Sequence, residues 1–146
     1  MSMARRAEAD YGPVMSTAQR LFIAYGTTVL VLGFGLGAVL GVVRMKAPAV
    51  RNLATAHVET LMQAAMHLAL AFAVGAVGFG SDAATAGAWL LVAASAMQAL
   101  GVTINWITDV GDQFAERSPG FYLNSLSTFA ALPGLAIIGH GILSRL

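Results

Sequence analysis

Four long apolar stretches, separated by short polar segments, dominate the pattern of this chain. They run over residues 20–43, 56–79, 84–108 and 121–143. Each is long enough to cross a bilayer, since a spanning helix needs about 20 mostly apolar residues. The pattern predicts an all-α, integral membrane four-helix bundle over residues 20–146, preceded by a polar N-terminal tail at 1–19.

Helix-breaking and capping residues lie between the predicted spans. Pro48 prevents the first helix from continuing. Ser81 or Asp82 can cap the third helix, and Pro119 with Gly120 closes the last connection. The first span begins too late and runs too long for a cleavable signal, so we expect it in the mature protein.

Composition agrees with a membrane protein and limits its chemistry. The chain is 58% hydrophobic and 10% charged, with a mean hydropathy of +0.74. The net charge of +1 is scattered, so nothing indicates a nucleic-acid partner. The absence of cysteine excludes disulfides and thiolate-bound metals, so any metal must use His, carboxylate or Met ligands.

Basic residues do not indicate a membrane orientation. Cytoplasmic loops normally carry an excess of Lys and Arg. Here four basic residues fall on the side of the termini and four on the opposite side: Arg5, Arg6, Arg20 and Arg145 against Arg44, Lys46, Arg51 and Arg117.

Glycine recurs every fourth residue in the first span, at Gly33, Gly37 and Gly41. Such a stripe allows another helix to approach closely, which is how membrane helices commonly pack. The alternative is that a flat cofactor lies against it.

The second span carries a polar stripe on one face, at Glu59, Gln63 and His67. An ionisable group at bilayer depth costs roughly 2.5 kcal/mol or more, so such residues usually face a partner or a cavity. Glu59 could instead cap the helix or pair with Arg51. Gln63 and His67 could instead form hydrogen bonds between helices.

The third span and the residues after it carry a second polar stripe, which predicts a cavity that deepens into the bundle from the Asp112 end. The stripe consists of Gln98, Gly101, Asn105, Asp109 and Asp112. Gln98 and Asn105 could also serve only as interhelical hydrogen-bonding groups. Asp112, Tyr122, Asn124 and His140 lie near span ends, where headgroup contact is the ordinary role. Pro133 interrupts the fourth helix and frees backbone groups that need partners.

His57 lies off the stripe of the second span, roughly 160° around the helix from Glu59. A histidine near a membrane interface is often structural. In a chain without cysteine it is also the natural axial ligand of a haem iron, binding through one ring nitrogen while an acceptor orients the other.

Residues 54–66, ATAHVETLMQAAM, resemble the second helix of styrene oxide isomerase, in which an Ala-His pair is followed six residues later by an amide. The same run is similar to hydroxylaminobenzene mutase, whose His-x-Glu pattern matches His57 and Glu59. Both families are small four-span bacterial membrane proteins. The resemblance continues through Asn105, the Ser118-Pro119 loop and residues 126–133, LSTFAALP.

The resemblance implies a homotrimer in a bacterial inner membrane, with haem b between subunits and His57 on its ferric iron. The iron would act as a Lewis acid on a small apolar substrate, converting an epoxide to a carbonyl or an aryl hydroxylamine to an aminophenol. Gln63 matches the active-site asparagine of styrene oxide isomerase, and Gln63, Asn105 and Asp109 would line the substrate side. Asp109 falls where that family has a catalytic tyrosine, so the substrate is expected to differ from styrene oxide.

Two other functions fit the same residues. A haem b electron-transfer protein would use His67, His140 or a Met as the second axial ligand. A cofactor-free small transporter or accessory subunit would use the polar stripes to line a path.

Overall fold

The computed structural model describes residues 14–44, 51–111 and 115–146 and consists of four helices. They are α1 (Thr17–Arg44), α2 (Arg51–Ala76), α3 (Asp82–Ile107) and α4 (Pro119–Leu143). All four are long and apolar enough to cross a membrane. The prediction of an all-α fold with four helices of membrane-spanning length is therefore confirmed.

The observed helices overlap the predicted spans closely. The largest difference is at the start of α2, which begins at Arg51 rather than at residue 56. Of the predicted polar tail, residues 1–13 lie outside the described part of the chain, and residues 17–19 already belong to α1.

Serine caps begin three of the helices. Before α1, the Gln19 N–H donates to Ser16 Oγ at 3.2 Å and the Ser16 N–H donates to Gln19 Oε1 at 3.0 Å, which is a capping box. Ser81, one of the two predicted caps, accepts from the Ala84 N–H and begins α3. Ser118 accepts from the Phe121 N–H and begins α4.

The helices form two hairpins rather than a closed ring. α1 packs along α2 and α3 packs along α4, while α3 also contacts both helices of the first hairpin. α4 touches α2 only slightly and does not contact α1. In a closed up-and-down bundle the first and last helices would be neighbours, so this bundle is open between α1 and α4.

Two apolar cores lie at opposite ends of the molecule. The large core lies near the chain termini and consists of Ala18, Phe22, Ala71, Val74, Phe79, Ala84, Ala88, Leu91 and Ile138. The small core lies near the α1–α2 connection and consists of Leu36, Leu53, Ala56 and Val102. Between the two cores lies a layer of buried polar side chains, which consists of Thr60, Gln63, His67 and Ser95.

Glycines of α1 bring α2 close, as the packing interpretation predicts. A Cβ at Gly33 would lie 2.7 Å from Leu61 Cδ2, and one at Gly37 would lie 2.7 Å from His57 Cε1. Gly41 faces open space instead. The glycine stripe therefore serves helix packing over two of its three positions.

Candidate functional site

His57 lies in the groove that the α1 glycines create. Its Nδ1 is 2.8 Å from the backbone oxygen of Gly33. A carbonyl oxygen only accepts, so the hydrogen bond requires the proton on Nδ1 and leaves the lone pair of a neutral ring on Nε2. Gly37 supplies the space for the ring, because a side chain there would collide with it.

The His57 ring remains partly accessible at the edge between α1 and α2. The residue is half-buried, and Val58 beside it is 52% exposed. Within the described part of the chain, the only hydrogen bond of the His57 ring is the one to Gly33. Nε2 is therefore the ring atom that can bind a ligand from outside the chain.

A second polar feature is an open pocket of about 250 Å³ between α2 and α3. We call it the Gln63 pocket; it is lined by Glu59, Met62, Gln63, Met66 and Gln98. Gln98 Nε2 donates to Glu59 Oε2 at 3.5 Å, so Gln98 does link two helices. Two residues of the predicted stripe on α2, Glu59 and Gln63, thus line the pocket. Met66, which lies beside the stripe on the helix, also lines it.

Gln63 is the least satisfied side chain of this pocket. It is only 7% exposed, and neither its Oε1 nor its Nε2 has a hydrogen-bond partner among the described residues. An unpaired buried amide costs about 1–3 kcal/mol. Within the described part of a single chain, the Gln63 side chain therefore forms no hydrogen bond between helices, which would have been its purely structural role.

Glu59 has neither of the structural roles considered for it. It lies more than two turns beyond the start of α2 at Arg51, so it does not cap the helix. No described basic side chain pairs with it, and the amide of Gln98 is its one hydrogen-bond partner there. It is a carboxylate in the interior of a span.

His67, by contrast, is a packing residue. It is fully buried, and its Nδ1 is 2.8 Å from the Gln63 carbonyl oxygen of its own helix. Its ring lies against Tyr25 and Phe22, with centroid distances of 4.7 and 5.7 Å. Its Nε2 is turned towards the backbone of Leu91 without a well-formed hydrogen bond. The hydrogen bond that His67 forms thus lies within α2 and not between helices, and its ring serves to fill the space between α1 and α2.

Asn105 lies at the seam between α3 and α4, away from the Gln63 pocket. It is fully buried, and its Oδ1 accepts from Ser118 Oγ at 2.7 Å. Ser118 Oγ is also the N-cap acceptor for Phe121, so Asn105 holds the residue that starts α4. Its Nδ2 has no partner among the described residues.

Asp109 lies outside α3, because the helix ends at Ile107. Its φ of 52° is in the left-handed region. The Val110 N–H donates to the Asn105 carbonyl at 3.0 Å and the Asp109 N–H to the Trp106 carbonyl at 3.2 Å. These bonds form a Schellman motif in which Asp109 takes the position usually held by glycine. The side chain is exposed.

The structure therefore divides the predicted stripe of α3. Gln98 faces α2, Asn105 faces α4, and Asp109 leaves the helix, while Asp112 lies outside the described residues. The Gln63 pocket contains neither Asn105 nor Asp109, and it does not contain His57. The expectation that one cavity follows the stripe fails in a single chain, because the crossing of α3 with two partners turns its polar positions towards different helices.

Three contacts were not foreseen from the sequence: Glu59 with Gln98, Asn105 with Ser118, and His57 with the Gly33 carbonyl. The first had a usable signal, because both residues are polar and lie in the interiors of consecutive, antiparallel spans. The last has no side-chain signal, since it uses a backbone oxygen.

A conventional metal centre is not present in the described part of the chain, where no group of three or more His, Asp or Glu residues comes together. A haem iron needs only one or two protein ligands, because the porphyrin supplies the rest. A single histidine such as the half-buried His57 is therefore compatible in number with a haem ligand, but not with a conventional metal centre.

Comparison with known proteins adds no relative: no family model, no curated protein and no solved structure matches the chain. The likeness to styrene oxide isomerase and hydroxylaminobenzene mutase therefore depends on short sequence motifs alone.

Proposed function

We propose that this protein is a membrane-embedded haem b isomerase in which His57 is the axial ligand of ferric iron. The observation that carries the proposal is the contact between His57 Nδ1 and the Gly33 carbonyl. Histidines that bind metals usually donate their other ring N–H to a carbonyl or carboxylate, which fixes the tautomer and the ring orientation. In this protein Gly33 supplies that carbonyl.

The positions of the other histidines favour an isomerase over an electron-transfer protein. His67 lies ten residues from His57, or about 15 Å along the helix, so both rings cannot bind one iron. His140 is exposed near the end of α4, which does not contact α1. One chain therefore supplies one histidine ligand, and a ferric haem held by His57 would supply Lewis-acid chemistry for a substrate oxygen.

The Gln63 pocket is the proposed substrate side. The Gln63 amide has a donor and an acceptor without a partner among the described residues, and these would orient the oxygen or N–H of a small substrate. Met62 and Met66 give the pocket apolar walls suited to an epoxide or an aryl hydroxylamine.

Assembly with further copies would complete the site. We propose a homotrimer in a bacterial inner membrane with haem at the subunit interface, since His57 and the Gln63 pocket lie on different faces of α2. Large exposed apolar side chains, including Phe34, Phe72 and Phe129, are available for lipid or for another copy. Asn105 and Asp109 would act on a substrate only if a neighbouring subunit brought them to the pocket.

The test is the absorption spectrum of protein purified after haem-replete expression. We expect a Soret band in the wild type, its loss in His57→Ala, and its retention in His140→Ala, the matched control that removes an exposed histidine. A colourless wild type, or an equal band in His57→Ala, would overturn the proposal. With haem bound, conversion of an epoxide or an aryl hydroxylamine without net redox change tests the isomerase step.

A further inference from the structure

We infer that the Gln63 pocket binds a primary ammonium group that carries a small apolar tail. The inference goes beyond the proposed function, because this ligand differs from the epoxide or aryl hydroxylamine proposed as the substrate. The binding chemistry itself rests on the pocket alone.

The first argument is the uncompensated carboxylate of Glu59. Gln63 lies at the midpoint of α2, and Glu59 is about 6 Å from it along the helix. An ionisable group at such depth is rare and normally has a partner. The one hydrogen bond it accepts from the described chain, from Gln98 at 3.5 Å, is long and comes from a neutral group.

The second argument is that the described protein cannot supply the missing cation. Its basic side chains all lie at helix ends or in connections: Arg20, Arg44, Arg51, Arg117 and Arg145. The distribution is the same in a second copy, whichever way that copy faces. Neither arrangement brings a described guanidinium to the depth of Glu59, so no basic side chain of the described residues compensates this carboxyl group, whereas a cationic ligand would.

The third argument is the match in hydrogen bonding. A primary ammonium has three N–H donors. The pocket offers the Glu59 carboxylate and the amide oxygens of Gln63 and Gln98 as acceptors. Gln63 is more than nine-tenths buried and has no present partner, so ligand binding would satisfy an atom that the fold leaves unpaired.

The remaining walls set the size and character of the tail. Met62 and Met66 are flexible, polarizable side chains that adapt to an apolar group. The volume of about 250 Å³ lies below the range of drug-sized pockets, so a single ring is the expected limit. One carboxylate does not suit a hard metal cation, since calcium requires about 6–8 oxygen ligands.

Access comes from the bilayer. Met62 is 67% exposed on the outer face of α2, so the pocket opens sideways. A small lipophilic amine dissolves in the hydrocarbon and can enter there. The ammonium of a lipid headgroup does not reach this depth, since the core is about 30 Å thick and Gln63 lies near its middle.

The experiment measures binding of benzylammonium to the purified protein by calorimetry, in detergent or nanodiscs, with benzyl alcohol as the neutral analogue. We expect saturable binding that Glu59→Gln weakens about tenfold or more, equivalent to about 1.4 kcal/mol. Asp82→Asn is the matched control, because it removes an exposed carboxylate at the start of α3. Benzyl alcohol is expected to bind at least about tenfold more weakly than benzylammonium.

An amine can also bind ferric iron, so the titration is repeated in His57→Ala, where we expect the same affinity. Absence of saturable binding, equal binding in Glu59→Gln, or equal binding of benzyl alcohol would overturn the inference. A colourless wild type that binds benzylammonium through Glu59 would overturn only the haem proposal. A haem-loaded wild type whose His57→Ala variant does not bind benzylammonium would overturn only this inference.

Discussion

The two helix hairpins use their buried polar residues differently. In the α1–α2 hairpin, His57 Nδ1 forms a hydrogen bond with the Gly33 carbonyl. Neither Oε1 nor Nε2 of Gln63 has a partner among the described residues. In the α3–α4 hairpin, Asn105 holds Ser118, and Ser118 caps α4. The first hairpin thus retains free polar atoms beside accessible openings, whereas the second uses its polar contact to join two helices.

Unpaired polar atoms also exist in the second hairpin, but their side chains pack against the opposite helix, whereas Gln63 lines an open pocket. Asn105 Nδ2 and Asn124 Oδ1 have no partner among the described residues. Both side chains lie against glycines of the opposite helix, Gly120 and Gly101, where a Cβ would collide with them. An unpaired polar atom therefore indicates a binding site only where the packing leaves room beside it.

The largest expected effect is on stability, at the packing residue of the first hairpin. His67→Ala should lower the free energy of unfolding by about 3 kcal/mol, because it empties a fully buried space between Phe22 and Tyr25. His57→Ala should cost less than about 1 kcal/mol, since the half-buried ring lies at an edge. Thermal unfolding in detergent measures the stability of both variants. A larger loss of stability in His57→Ala than in His67→Ala would contradict the assignment of His67 as the packing residue and His57 as the accessible one.

The next effect is on haem binding through the glycine groove. In Gly37→Ala the new Cβ would lie 2.7 Å from His57 Cε1, so the ring or α1 must move, at a cost of about 1–3 kcal/mol. We expect a reduced Soret absorbance per chain. Gly41→Ala is the control because its Cβ would enter open space. Equal spectra for the two variants would show that the groove does not position His57.

A smaller effect is expected at the seam of the second hairpin. Ser118→Ala removes an N-cap and the hydrogen bond to Asn105, which should lower stability by about 1–2 kcal/mol. Haem content should be unchanged. Ser144→Ala, at the exposed end of α4, controls for loss of a serine. Loss of haem without loss of stability would assign Asn105 and Ser118 to the site instead.

The smallest effect is expected at Asp109. Glycine is the preferred residue at its left-handed position, so Asp109→Gly should leave stability unchanged or raise it by up to about 1 kcal/mol. Loss of isomerase activity in a stable, haem-loaded Asp109→Gly protein would support a direct role in the reaction. Unchanged activity would leave Asp109 as a helix-terminating residue alone.

The long apolar runs predict the four helices well because span length and hydropathy depend on local composition. The sequence predicts less well which polar side chains share a pocket. Side chains on one face of an ideal helix still contact different neighbours when that helix crosses two others. Asn105 and Gln98 show this on α3. Asp109 shows a second limit, since the helix ends before it and helical spacing no longer applies. The Gly33 contact depends on a backbone atom, which no residue pattern reveals.

Replacement of the His57 ring by a free ligand tests the central claim most directly. His57→Gly removes the proposed axial ligand and leaves space beside Gly37 that added imidazole can fill. We predict that the variant, expressed with haem, lacks the wild-type Soret band and that imidazole restores a band with the spectrum of a histidine-ligated ferric haem. A wild-type spectrum in His57→Gly before imidazole is added would contradict the assignment of His57 as the haem ligand.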